Sequence, residues 1–282
     1  MGAAMREFFD DHRKLITGIL ILLLGIMGSW LLSRYISPAP PKTIVFTAGA
    51  SDGAYYKFAQ RYKVLLAQND ITLDVRESAG SIENIQRLQD TKSAVMAGFV
   101  QGGLGTISQG VEPDADNYES LQSLANVAFE PVWIFTRNPN IKDLDQLKGM
   151  RIAVGAVGSG TRKVALDLLQ AAGLPLDEKL WLPYGGAAAA KAFTNQTIDA
   201  AFIVAAPESA SVQTLLRQNG LYLADLGHAN ALARMLPYLQ PIAIPKGVFD
   251  LPNNIPARDI TMLSTSANLV VSEDIHPALA YL

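Results

Sequence analysis

The chain has 282 residues, with 23 Lys and Arg against 26 Asp and Glu, a formal net charge of −3, three His and no Cys. The lack of cysteine excludes disulfides, thiolate metal sites and a lipid-modified cysteine, and the slight acidity, with no basic helix face, argues against a nucleic-acid partner. A chain of this length has room for one two-lobed unit or two small domains and buries roughly 70–75% of its unfolded surface.

Residues 1–14 read as a cytoplasmic N-terminus. Residues 15–33, "LITGILILLLGIMGSWLLS", carry no charge and as a helix at ~1.5 Å per residue extend about 28 Å, close to the hydrocarbon thickness of a bilayer. Arg13 and Lys14 precede this run, Trp30 and Tyr35 lie near its far end, and the flank "SRYISPAPP" has no clear small-x-small cleavage site, which predicts an uncleaved, single-pass signal anchor. A cleaved signal peptide is the alternative. The basic residues Arg6, Arg13 and Lys14 before the run, against Arg34 and Lys42 after it, place the N-terminus inside and the rest on the periplasmic or extracellular side of the inner membrane. Residues 34–42 form a proline-rich, extended linker that holds the mildly acidic body off the lipid.

From Thr43 the pattern is β-α alternation. "TIVFTAG" predicts a strand, "DGAYYKFAQRYKVLLAQ" a helix, "ITLDVRES" a strand, "AGSIENIQRLQ" a helix with Ser81 as its N-cap, and "SAVMAGFVQGG" a third strand. "LQSLANVAFEPVWIFTR" reads as a long extended segment, after which the alternation restarts: a short helix closed by Gly149, the strand "RIAVG", a helix over 161–172 closed by Gly173, the strand "LWLPY", the helix "GAAAAKAFTNQ", the strand "IDAAFIVAA" and the helix "PESASVQTLLRQNG". Two sets of β-α units predict an α/β protein with parallel sheets, helices on both faces and ligands at the carboxyl ends of the strands.

Four glycine-bearing turns lie at those ends: "GASDGAYY", "ESAGS", "VQGG" and "GAVGSGT". Each glycine alone is explained by a tight turn; four together point to a ligand. In the last, Gly155 and Gly160 have P-loop spacing, but Thr161 and Arg162 stand where Lys and Ser or Thr are required. The lysine that reaches the outer phosphates is missing, yet the helix start still offers unpaired N–H groups and a partial positive charge to a carboxylate. Ser159 and Thr161 add hydroxyls, and Arg162 either pairs with that carboxylate or faces solvent. Tyr55 shares a helical stripe with Phe58, Ala59 and Tyr62 and reads as core, which turns Tyr56 towards a ligand. The candidate ligand-binding set is Asp52, Gly53, Tyr55, Tyr56, Ser81, Gln101, Ser159, Gly160, Thr161 and Arg162. No cofactor, metal site or catalytic residue is expected: His12, His228 and His276 are far apart in sequence, and no G-x-S-x-G or H-E-x-x-H motif occurs.

"FTAGASDGAYYKFAQ", "VRESAGSIENIQRL", "FVQ", "LKGMRIAVGAVGSGTRKVALDLLQAAGL" and "IDAAFIVAAP" resemble, in this order and spacing, the solute receptors of tripartite ATP-independent periplasmic (TRAP) transporters of the TAXI family, over residues 43 to about 275. The resemblance implies a type II periplasmic binding-protein fold with two lobes and a ligand cleft, lobe one from 43–134 and 237–282 and lobe two from 135–236. It also implies a small carboxylate or amino-acid solute, glutamate-like, delivered to a membrane permease driven by an ion gradient. The chain departs from the family where Asp52, Gly53 and Ala54 replace a Gly-Gly-Thr or Gly-Gly-Ser, which removes a hydroxyl and adds a carboxylate suited to an ammonium group. It also stops at "HPALAYL", at the start of an expected helix, so the C-terminus reads as incomplete. A membrane-tethered ligand sensor on the same fold is the alternative, and an extracytoplasmic enzyme the more distant one. If residues 15–33 are an uncleaved anchor, the intact protein fractionates with membranes and resists carbonate extraction; a mature N-terminus near residue 40 overturns this expectation.

Overall fold

Short apolar runs ending in glycine become strands and the amphipathic runs between them become helices over residues 12–35, 40–51, 53–104, 121–273 and 275–280, which the computed structural model describes. The chain divides into two units, Met1–Pro41 and Lys42–Leu282. The first holds helix α1 (Arg13–Tyr35), where large apolar side chains such as Leu22, Ile26 and Leu31 are exposed. Among the described residues no helix is long and apolar enough to cross a membrane, so the anchor expected over residues 15–33 is carried by the sequence alone.

The second unit begins with β1 (Thr43–Thr47), α2 (Ala54–Ala67), β2 (Thr72–Arg76), α3 (Ser81–Gln89) and β3 (Ala97–Gln101). A long strand follows, β4 (Leu121–Thr136), and then a 3-10 turn over Leu144–Leu147. The alternation restarts with β5 (Ile152–Ala153), α4 (Gly160–Ala171), β6 (Trp181–Leu182), α5 (Gly186–Thr194), β7 (Ala200–Val204) and α6 (Ala210–Leu216). The remainder is β8 (Tyr222–Leu223), α7 (Ala229–Met235), β9 (Gln240–Ile244), the second long strand β10 (Ile260–Ser272) and α8 (Pro277–Ala280).

The strands form one sheet in the order β2-β1-β3-β10-β4-β7-β5-β6, with β8 beside β4 and β9 beside β10. Within each set the pairing is parallel, as the alternation predicts: β1 with β2 and β3, β5 with β6 and β7. The two long strands are antiparallel to their neighbours and to each other, so the sheet is mixed and the parallel expectation holds only inside each half. β10 gives its C-terminal residues, Ala267–Val271, to β3 and its N-terminal residues, Ile260–Ser264, to β9. The segment 237–259, assigned by the sequence to lobe one, is accordingly held by the other half: β9 pairs with Ile260–Ser264, and Ile242, Ile244 and Phe249 pack on the core around Trp133 and Ile203.

Each half has its own apolar core. Phe99 anchors the first, with Phe46 edge-on to it at 5.0 Å between ring centroids, an arrangement aromatic pairs favour. In the second, Val164, Leu168 and Leu169 of α4 pack on Ile152 and Phe202 on one face of the sheet, and Phe193 of α5 packs with Trp133 and Ala201 on the other. These helices bury the apolar stripe that their 3.6-residue period lays out.

One buried side chain ties the strand ends of the first half together. Asn84 of α3, fully buried, donates through Nδ2 to the carbonyls of Ala48 at 2.5 Å and Phe99 at 2.8 Å. Its Oδ1 accepts from the hydroxyls of Thr47 and Ser78, both at 2.6 Å. Replacing it leaves several buried groups without partners, each costing about 1–3 kcal/mol. Asn84→Ala is expected to lower stability by about 3 kcal/mol and the melting temperature by roughly 10 °C, read by thermal denaturation followed by circular dichroism. A change under about 2 °C would mean that the network contributes little.

Candidate functional site

The carboxyl ends of β1, β3 and β7 open onto one cleft, of about 170 Å³, between the two halves of the sheet. This is the crevice in which open α/β sheets bind ligands, and it is smaller than the roughly 300–1,000 Å³ of pockets for drug-sized ligands. Four helices of nine or more residues, α2, α3, α4 and α5, start at its wall, contributing Gly53 to Tyr55, Gly80 and Ser81, Ser159 to Thr161, and Gly186. Ser209 and Ser211, at the start of the short α6, complete that side. Unpaired N–H groups and the positive ends of four helix dipoles thus converge on one small space. Among the described residues no Lys or Arg lines it.

Of the sequence-predicted residues, Gly53, Tyr55, Ser81, Gln101, Ser159, Gly160 and Thr161 line the cleft. Asp52 lies outside the described residues. Tyr55 packs on the core, as its helical stripe predicts, with its ring 5.4 Å from that of Phe99 between centroids, and its hydroxyl also faces the cleft and donates to Glu130 at 2.7 Å. Tyr56, expected to face a ligand, packs on the apolar core of the first half and is not among the lining residues.

Ser81 is not the N-cap. That position is Gly80, at φ +129°, a conformation open only to glycine at low cost, and the Ser81 hydroxyl accepts from the backbone N–H of Gln101 at 3.0 Å. Ser159 does cap α4, accepting from the backbone N–H of Arg162 at 3.2 Å. Thr161 has a structural partner, since its hydroxyl accepts from the N–H of Val204 at 3.1 Å. Arg162 does not line the cleft; its Nη1 is buried without a hydrogen-bond partner.

The halves touch around the cleft. Gly80 lies against the Ser159 backbone, Gly158 against Ala79, and Gly103 beneath the Tyr238 ring, so close that a Cβ at Gly103 would come within 2.2 Å of the ring. Gln101 also donates through Nε2 to the Gly160 carbonyl at 3.4 Å.

Among the lining residues that the sequence reading missed, Ser209 and Glu130 carry buried polar side chains. The Ser209 side chain is buried and its hydroxyl has no hydrogen-bond partner, the state of a group placed for a ligand. Glu130 is 3% exposed, on β4 opposite Thr265 of β10. Burial pushes its carboxyl up to about 7, against the lowering effect of the hydrogen bond from Tyr55, and burial beside Glu130 in turn raises the Tyr55 phenol. The signal for Glu130 in the sequence was a lone acid inside the apolar run "VAFEPVWIF", since unpaired carboxylates are rarely buried without a purpose. His228 also found a partner, with Nδ1 2.9 Å from Asp143, but neither residue lines the cleft.

The sequence profile of the NMT1-like family matches residues 46–282. Among solved structures, one of a protein from Bordetella bronchiseptica RB50 is similar at 16% identity, over 85% of this chain and 68% of that one, with a TM-score of 0.53. The effector-binding domain of QuiR in complex with shikimate is similar at 12% identity, over 85% and 92% of the two chains, with a TM-score of 0.51. A cysteine mutant of OxyR from Corynebacterium glutamicum matches at 10% identity, over 96% and 70%, with a TM-score of 0.51. At these identities the likeness is one of fold, and with the sheet order it describes the type II periplasmic binding-protein-like arrangement.

Glu130 makes the stability of the empty protein depend on pH. Because its folded-state value of about 7 lies above the ordinary 4.5, the protonated carboxyl favours the fold at and below pH 4.5, and that contribution, on the order of 3 kcal/mol, is lost as pH rises through 7. Glu130→Gln is expected to flatten the fall in stability between pH 4.5 and 7 and to raise the midpoint of urea unfolding at pH 8. Parallel pH profiles for the two proteins contradict it.

Proposed function

Since this chain belongs to the NMT1-like family, we propose that it is an extracytoplasmic solute-binding domain that takes a small carboxylate or amino acid into the cleft between its halves. The observation that carries this reading is the convergence of four helix N-termini, with the unpartnered hydroxyl of Ser209, on a space of about 170 Å³ that no Lys or Arg lines among the described residues. Backbone N–H groups and helix dipoles stabilise a small anion by about 0.3–2 kcal/mol per terminus, and hydrogen bonds to a charged group add roughly 1.5–3. The P-loop lysine is missing, which argues against a nucleotide phosphate.

In this reading residues 15–33 tether the domain to the inner membrane, on its periplasmic or extracellular side, and the two halves close on the solute and deliver it to a permease of the TRAP type. The anchor rests on the uncharged run of the sequence. The permease rests on the sequence resemblance. Among the described residues the titratable groups that line the cleft are Tyr55 and Glu130, and the reading is one of binding rather than turnover. The second reading, a tethered sensor in which the same closure is passed to a signalling partner, is favoured by the fold shared with the QuiR effector-binding domain.

The test is a thermal-shift screen of the purified chain against organic acids and amino acids, followed by calorimetry, because a ligand that binds only the folded state raises its stability. A hit at 100 times its Kd adds about 2.7 kcal/mol. Ala205 lines the cleft, and Ala205→Phe is expected to abolish the shift while the empty protein melts within a few degrees of the wild type. A ligand shift that survives Ala205→Phe would place binding elsewhere.

A further inference from the structure

We propose, resting on the solute-binding reading above, that Glu130 is the residue that sets specificity in the cleft: it selects solutes that carry an ammonium group beside their carboxylate, and it gives up a proton when such a solute binds. Three observations carry this. Glu130 lines the cleft at its floor, on the strand that runs between the two halves, and is 3% exposed. The Tyr55 hydroxyl donates to Glu130 Oε2 at 2.7 Å, which places Glu130 in the cleft as an acceptor. Finally, among the described residues the cleft holds no cation to balance it, and Tyr55 is the titratable group that faces it.

A buried carboxylate without a partner is costly, and a counter-charge brought by the solute removes that cost. The anionic end of the same solute is held by the helix starts at Ser159 to Thr161 and Gly186 and by the Ser209 hydroxyl, which line the same cleft. A plain dicarboxylate meets Glu130 with like charge, or keeps it protonated. The proton balance is simple: below neutrality the empty cleft holds the Glu130 proton, the ammonium takes the place of that proton, and the proton leaves to solvent. Affinity for ammonium-bearing solutes rises with pH as a result, and affinity for their amino-free counterparts does not.

The test uses the full chain in detergent and three matched pairs of probes, glutamate with glutarate, aspartate with succinate, and γ-aminobutyrate with butyrate, titrated by calorimetry at pH 6 and pH 8 in two buffers of different ionisation enthalpy. The expected result is at least a tenfold preference for the amino-bearing member of a pair at pH 8. Its Kd should rise about tenfold at pH 6, where close to one proton is released per solute bound. Glu130→Gln is expected to abolish both the preference and the pH dependence. Tyr55→Phe removes the donor that favours the ionised carboxylate and should move the pH at which the preference appears upward. Equal or tighter binding of the amino-free members at pH 8, or a preference that survives in Glu130→Gln, overturns the role of Glu130 while leaving the solute-binding reading in place. Binding of no member of any pair at pH 8 overturns both.

Discussion

Everything in the second unit hangs on the antiparallel pairing of β4 with β10. The two strands run side by side from Leu121–Ser272 at one end to Val132–Leu263 at the other, with register shifts between Ala267 and Asn268 and between Leu269 and Val270. A strand of 16 residues such as β4 reaches about 50 Å at ~3.3 Å per residue, long enough to serve both halves of the sheet. Each long strand therefore belongs to two cores at once. β10 supports β3 with its C-terminal residues and β9 with its N-terminal residues, while the C-terminal half of β4 supports β7. The halves cannot separate without breaking this ladder. The register shifts lie within the stretch of β10 that also pairs with β3, and bulges of this kind add local twist.

That pairing also positions the chemistry. Parallel β-α units place helix N-termini at the carboxyl ends of strands, and two such sets facing each other across a pair of shared strands direct those ends at the same gap. The rim is stiffened by contacts that do not involve a ligand: the Trp133 indole N–H donates to the Ala205 carbonyl at 2.8 Å, and the Thr161 hydroxyl takes the N–H of Val204. The end of β7 is thus fixed from a crossing strand and from a helix start, and the dipoles aimed at the cleft are held in place before any solute arrives. Preorganised donors of this kind bind without the cost of ordering themselves.

Glu130 is the counterpoint to those donors. The helix starts and the buried carboxyl line one small space, and among the described residues no Lys or Arg lines it with them. At low local dielectric such groups act strongly on small solutes. Where the halves meet, Gly80, Gly103 and Gly158 lack the side chains that would hold them apart.

By itself the sequence determined the period of each element, and with it the two sets of β-α units, the glycine turns at the strand ends and part of the cleft wall, from Gly53 and Ser81 to Gln101, Ser159, Gly160 and Thr161. These are local properties: a 3.6-residue stripe, a missing Cβ and a helix start are each encoded within about ten neighbouring residues. The tertiary structure alone decided what depends on distant partners. Tyr55 faces the cleft because Glu130, 75 positions away, receives its hydroxyl. Ser81 yields the cap to Gly80 because its hydroxyl is needed by the backbone of Gln101. The segment 237–259 joins the second half because β10 presents its first residues there. Whether a serine caps or binds, whether a tyrosine is core or wall, and whether a lone acid is a flaw or a site are settled by which strands pair, and pairing is a long-range choice that no local window of sequence contains.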